Sequence, residues 1–137
     1  MSWFVTYRGR VEAPEIDAFG HMNVQHYMAR LSIAGFAVSE RVGIDAAAIK
    51  DRRLGLSMLR CEIDFKRELS MGEAIRLETQ MQKVGTTSLT FRHRLIEEAG
   101  GALAMEAKIV AVCIDMDALN STPLPADIAE RARALIG

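Results

Sequence analysis

Ile16-Asp17-Ala18-Phe19-Gly20-His21-Met22-Asn23, continued by Val24 to Gly43, is the stretch whose reading decides the fold. A carboxylate, a glycine turn, an imidazole and a helix-capping asparagine come in quick succession. The segment that follows carries only Arg30, Glu40 and Arg41 as charges. An ordinary surface helix has one apolar stripe and one charged face. Here Val24, Tyr27, Met28, Leu31, Ala34, Val38 and Val42 form one stripe, and Ile33, Phe36 and Ala37 cover much of the remainder. The pattern predicts a helix wrapped on most sides. Gly35, in mid-helix, is expected to admit close approach of a sheet, so that Gly35→Leu would overpack the contact. The polar groups then stand at the helix N-terminus, where free backbone N–H groups and the dipole favour negative charge.

Outward from this segment the periodicity changes from helical to alternating. Residues 3–12 read as a strand, with Trp3, Val5, Tyr7 and Val11 in one phase and Thr6, Arg8 and Arg10 in the other. Asn23 is the expected N-cap and Gly43 the expected stop of the helix. Residues 45–51 form a short second helix capped by Asp45. Four alternating strands follow at 56–66, 73–83, 87–97 and 102–115, separated by Ser70-Met71-Gly72, Gly85-Thr86 and Ala99-Gly100-Gly101. The last strand is apolar in both phases from Ile109 to Ile114, as expected for burial on both faces. The segment Asn120 to Pro125 reads as a loop, and a minor C-terminal helix runs from Pro125 to Ile136. The order β, long α, then four β is that of an α+β hot-dog fold. In it a five-stranded antiparallel sheet wraps a long central helix, here as one domain over 1–137.

The totals exclude several classes. The chain has 137 residues, 50% hydrophobic and 26% charged, with formal net charge -1. That balance gives no bulk attraction to nucleic acid or anionic membrane. No basic stripe with interleaved aromatics is present. The N-terminus lacks an apolar run of signal-peptide length, and Leu31 to Ser39 is too short to span a bilayer. Cys61 and Cys113 lie far apart in strands, without zinc or redox spacing, and read as reduced thiols in a cytoplasmic protein.

Asp17-x-x-Gly20-His21-Met22-Asn23-x-x-x-Tyr27 resembles the signature of the hot-dog acyl-CoA thioesterases, the 4-hydroxybenzoyl-CoA thioesterase group and its long-chain acyl-CoA relatives. Ile63-Asp64-Phe65-Lys66-Arg67 and Gly85-Thr86-Thr87-Ser88 resemble further segments of that family. The chain departs from it at Ala29, Ser32 and Ile33, where relatives often carry glutamate, and at Glu68, where a proline is usual. Both departures bear on the substrate class. The resemblance implies hydrolysis of an acyl-CoA thioester to free acid and CoA, without metal or other cofactor. It also implies a homodimer or homotetramer formed by edge-to-edge joining of sheets.

The chemistry suits the motif. A thiol has a reference pKa of about 8.5, so the leaving group needs little help from an acid. What remains is to supply a nucleophile and to stabilise the oxyanion. A carboxylate can activate water or attack directly. The resemblance makes Asp17 that group, with His21 and Asn23 beside it as catalytic residues, and gives the oxyanion donor as the Val24 N–H. Gly20, Val24 and Tyr27 are its substrate-binding residues. Structural roles compete with each of these. Asp17 can serve an Asx turn, His21 a hydrogen bond, Asn23 the cap and Tyr27 the packed stripe. His93 lies in the inward phase of its strand and reads as a core histidine. Asp17, His21 and His26 make only a weak metal set. Lys66, Arg67, Lys83 and Arg92 are candidates for CoA phosphates. Two other functions stay open: a non-catalytic acyl-CoA-binding module, and a hydratase or dehydratase pairing a histidine with a carboxylate.

Overall fold

The computed structural model describes residues 2–137. Strand β1 (Phe4–Arg10) leads through a 3-10 turn at Ala13–Glu15 and the Asp17 segment into helix α1 (Val24–Val42). A short α2 (Ala46–Asp51) precedes β2 (Leu54–Phe65), β3 (Ala74–Val84), β4 (Ser88–Glu97) and β5 (Leu103–Asp115). A two-residue β6 (Asn120–Ser121) and α3 (Ala126–Ile136) complete the order. The main strands pair antiparallel in the order β1-β3-β4-β5-β2. The expected α+β architecture of a curled antiparallel sheet around a long helix therefore holds. One addition is β6, which pairs with β5 inside the segment read as a loop.

The caps of α1 are the expected ones. The Asn23 side chain accepts the Gln25 N–H at 3.1 Å, satisfying one of the free donors of the first turn. Gly43 takes φ 99°, a left-handed conformation that glycine adopts without a Cβ penalty. Leu31, Ala34, Val38 and Val42 are fully buried on one face of the helix. They belong to one core with Ile75, Leu77 and Met81 of β3 and Leu89, Phe91 and Leu95 of β4. Each such large side chain contributes roughly 1.5–3 kcal/mol on leaving water. Helix α3 packs on β3 and α1, burying Ile128, Ala129 and Ala132.

Five expectations need correction. The helix is not wrapped on most sides within the chain: Val24, Met28, Ile33 and Phe36 are exposed, Phe36 to 66%. A Cβ built on Gly35 meets nothing within 4 Å, so this glycine faces open space and no sheet approaches it. In β1 the apolar phase is not preserved. The register against β3 shifts between Val5 and Tyr7, leaving Thr6 buried and Val5 exposed. A bulge of one extra residue reverses the facing of everything on one side of it, which strict alternation does not anticipate. The inner phase of β2 is also thinner than its alternation suggests, with Leu59 and Phe65 exposed on a strand that forms the free edge of the sheet. On β5 the burial is uneven: Ile109, Ala111 and Cys113 are buried, whereas Val110, Val112 and Ile114 are half-buried. No helix of the described residues is long and apolar enough to cross a membrane.

Candidate active site

The Asp17 segment is a closed turn held at both ends. The Asp17 N–H donates to the His21 carbonyl at 3.2 Å, and the Gly20 N–H donates to the Asp17 carbonyl at 3.0 Å. Gly20 has φ 87°, which explains the glycine there. Ile16 and Met22 bridge across the base of the turn. The Met22 N–H donates to Leu69, whose chain follows β2, so the turn is tied to the sheet as well as to the helix.

Both Asp17 carboxylate oxygens are engaged. The Phe19 N–H donates to Oδ1 at 2.9 Å, an Asx turn, and Asn23 Nδ2 donates to Oδ2 at 2.9 Å. The Asn23 donor beside Asp17, and after it the Phe19 N–H, hold the carboxyl below its ordinary range. Asp17 is therefore ionised at neutral pH. Asn23 thus acts twice, capping α1 with its oxygen and orienting Asp17 with its nitrogen. The Val24 N–H, at the first position of α1, donates to no acceptor among the described residues.

Asp17, His21, Val24 and Tyr27 line one open cleft of about 490 Å³, together with Phe19, Phe65, Lys66, Arg67 and Glu68. Of the substrate-binding candidates, Val24 and Tyr27 thus reach the cleft surface, whereas Gly20 shapes the turn behind it. Tyr27 is buried, and its ring meets Phe65 edge to face at 5.0 Å. His21 Nδ1 lies 3.0 Å from the Glu68 carboxylate. Of the basic residues considered for phosphates, Lys66 and Arg67 border the cleft, Arg67 being paired with Glu73 at 2.9 Å. Arg92 lies apart from it, beside Glu106. Among the described residues no group of three or more His, Cys, Asp or Glu is placed to hold a metal, and His26 faces Glu15.

Two residues that the sequence reading did not single out brace the turn. Arg30, on the buried side of α1, makes a forked ion pair with Glu15 at 2.6 and 2.7 Å. Arg30 also donates to the carbonyls of His26 and Arg10 at 3.1 Å, joining α1, the 3-10 turn and the end of β1. The Glu15 carbonyl in turn accepts the Asn23 N–H at 2.9 Å. Arg30 as a lone charge on an apolar helix, fifteen positions from Glu15, was the available signal. Buried arginines are rarely unpaired.

Comparison with known proteins identifies the family. The profile of the thioesterase-like superfamily matches residues 11–132. A betainyl-CoA thioesterase of Pseudomonas aeruginosa is 25% identical over 131 residues, 95% of this chain and 82% of that protein. A hypothetical protein of Staphylococcus aureus, solved in complex with CoA, superposes with TM-score 0.90 at 18% identity, covering 99% of this chain and 86% of that one. A 4-hydroxybenzoyl-CoA thioesterase mutant complexed with 4-hydroxybenzoyl-CoA superposes with TM-score 0.85 at 21% identity, covering 95% and 98%. With a superfamily match over nearly its whole length and the fold to go with it, the chain belongs to the thioesterase-like superfamily, as a hot-dog-fold thioester hydrolase.

Proposed function

We propose that the protein hydrolyses an acyl-CoA thioester, with Asp17 as general base or nucleophile and the Val24 N–H as oxyanion donor. The observation that carries this reading is the shared cleft. An ionised carboxylate, pinned through one lone pair on each oxygen, and a backbone N–H without a partner border the same opening at the start of α1. Nucleophile activation and carbonyl polarisation then act in one place. As base, Asp17 takes a proton from the water whose oxygen bonds to the thioester carbon. As nucleophile, it bonds there itself, and water then hydrolyses the acyl–Asp17 anhydride to the free acid. In both routes the Val24 N–H donates to the carbonyl oxygen. The C–S bond breaks and CoA leaves as the thiolate. Asn23 keeps the carboxylate aimed, and Tyr27 with Phe65 forms the apolar wall. Lys66 and Arg67 are the cations available to CoA phosphates. The names of the Pseudomonas aeruginosa relative and the CoA complex of the Staphylococcus aureus neighbour support CoA as the carrier. His21 lies beside the Glu68 carboxylate at the rim of the cleft.

The working unit in this reading is a homodimer or a homotetramer. Support comes from the free edge of β2 and from its exposed apolar side chains Leu59 and Phe65. An open edge beside an apolar patch is a pairing surface. A stable, active monomer in light scattering at micromolar concentration would contradict this assembly. The unpaired thiols Cys61 and Cys113 suit a reducing cytoplasm. The test of the activity is a panel of acyl-CoAs scored separately for free thiol and for double-bond hydration. Thiol release without hydration is expected. Binding without thiol release would favour the non-catalytic module, and hydration would favour the hydratase.

A further inference from the structure

A second cleft lies beside α1, away from Asp17. The helix packs toward β1 and β3, and on its other flank the sheet falls away beneath Gly35. The opening, of about 150 Å³, is walled by Leu31 and Phe36 of α1, Leu56 and Met58 of β2 and Ile109 of β5. A dry cavity of this order takes up one benzene-sized group. Its lining is apolar apart from Ser32 and Ser39 of α1, of which Ser39 Oγ already donates to the Ile44 carbonyl, and His93 of β4.

His93 is 1% exposed and is held in a polar chain that no other part of the site uses. Its Nδ1 lies 2.6 Å from Thr79 Oγ1, which lies 2.9 Å from Thr6 Oγ1. Thr6 Oγ1 donates to the Leu77 carbonyl at 3.4 Å. The chain engages Nδ1, and the remaining ring nitrogen, Nε2, is a polar atom without a partner among the described residues. Burial lowers the His93 pKa to about 4, which keeps the ring neutral at physiological pH. The bulge that turns Thr6 inward is what completes this chain.

We propose that this cleft receives the far end of the substrate's acyl group, and that His93 selects acyl groups carrying an uncharged hydrogen-bonding group there, a hydroxyl above all. The proposal rests on the acyl-CoA reading for the identity of the ligand. Val24, at the Asp17 cleft, and Gly35, at this one, are separated by roughly 16 Å of helix. The exposed Met28 lies between them on α1. An acyl group laid along that flank would carry its thioester at Val24 and its far end over His93. A buried ring nitrogen left unpaired by a ligand costs more than a made bond returns, so a site of this kind discriminates against the ligand that lacks the hydroxyl.

The test compares two acyl-CoAs of equal chain length, one with a terminal hydroxyl and one without. Binding is measured by calorimetry in the Asp17→Asn protein, so the readout does not depend on turnover. The hydroxylated ligand is expected to bind about 10-fold more tightly, the worth of one net hydrogen bond. His93→Phe in the same background should reduce the preference to less than about 2-fold. Gly35→Leu, where the added side chain enters open space, should weaken both ligands while leaving acetyl-CoA unchanged. This second variant keeps the test standing if His93→Phe fails to fold. Equal affinities with His93 present, a preference that survives His93→Phe, or long-chain binding indifferent to Gly35→Leu would each overturn the proposal. So would a change in oligomeric state on Gly35→Leu with ligand affinities unaltered, which would show a second copy of the chain filling the cleft. Absence of thioester hydrolysis by the unmodified protein would defeat the catalytic reading alone, since these affinities do not require it.

Discussion

The two clefts that flank α1 are built on opposite principles. At its N-terminus, consecutive residues make a polar turn whose hydrogen bonds run between near neighbours: Asp17 to Phe19, Asp17 to Asn23, Asn23 to Gln25. Along its flank, the cavity beside His93 is assembled from three strands and a helix, and its polar chain joins Thr6 to residues seventy and more positions away. A site made from local contacts can be read as a motif. A site made from long-range packing exists only once the sheet has closed. The first is fixed by charge and hydrogen bonding, the second by where side chains are missing.

The sharpest way to break the first region is through its brace. The Arg30 side chain is 6% exposed and that of Glu15 15%. Arg30→Met should strand the Glu15 carboxylate and cost roughly 3–5 kcal/mol in urea unfolding, the usual penalty for breaking a buried pair. A loss under about 1 kcal/mol would show that the pair behaves as a solvated one.

The second region answers to pH. His93 is neutral in the folded protein down to about 4, whereas the unfolded chain binds that proton below about 6.5. The unfolded state therefore carries more protons in this window, and stability falls as pH drops from about 6.5 to about 4. The contribution amounts to at most about 3 kcal/mol. Asp17, Glu15 and Glu78, held low by their hydrogen-bond and ion-pair partners, add losses in the same direction, at pH below the ordinary carboxylate range. In His93→Gln the slope between pH 6.5 and 4 should flatten while the lower limb persists. An unchanged slope would show that the imidazole is already protonated when folded.

The smallest effect sharpens the same comparison. Gly35→Ala places a methyl in open space and removes a poor helix former, so it should stabilise the protein by up to about 1 kcal/mol. A drop in the thermal midpoint would mean that something packs against that flank in solution, an associated copy being the first candidate.

These two regions also mark what the sequence made legible. Alternation gave β2 to β5 within a few residues, because along most of β3 and β4 one face is buried and the other wet: Ile75, Leu77, Leu89 and Phe91 are buried, their neighbours half so. The Asp17 turn, its cap and its glycine were legible because each needs a particular residue type locally. Arg30 was visible as a misplaced charge, but its partner Glu15 could be named only after the turn had folded back. The open flank of α1 was misread for a physical reason. Apolar residues on every side of a helix signal burial, but they do not say whether the covering surface belongs to the same chain. The bulge at Thr6, likewise, leaves no mark in a single sequence.

The central claim is that Asp17 performs the chemistry of the polar cleft, and the Asp17→Asn protein tests it most directly. Asparagine keeps the shape and accepts the Phe19 N–H but removes the charge. Side-by-side thermal unfolding and thiol-release kinetics on the best acyl-CoA of the panel separate the two roles. If Asp17 is base or nucleophile, turnover should fall by about 100-fold or more while acyl-CoA affinity and the unfolding midpoint change little. A folded Asp17→Asn protein that releases thiol at close to the unmodified rate would contradict the account and leave Asp17 as a turn residue only.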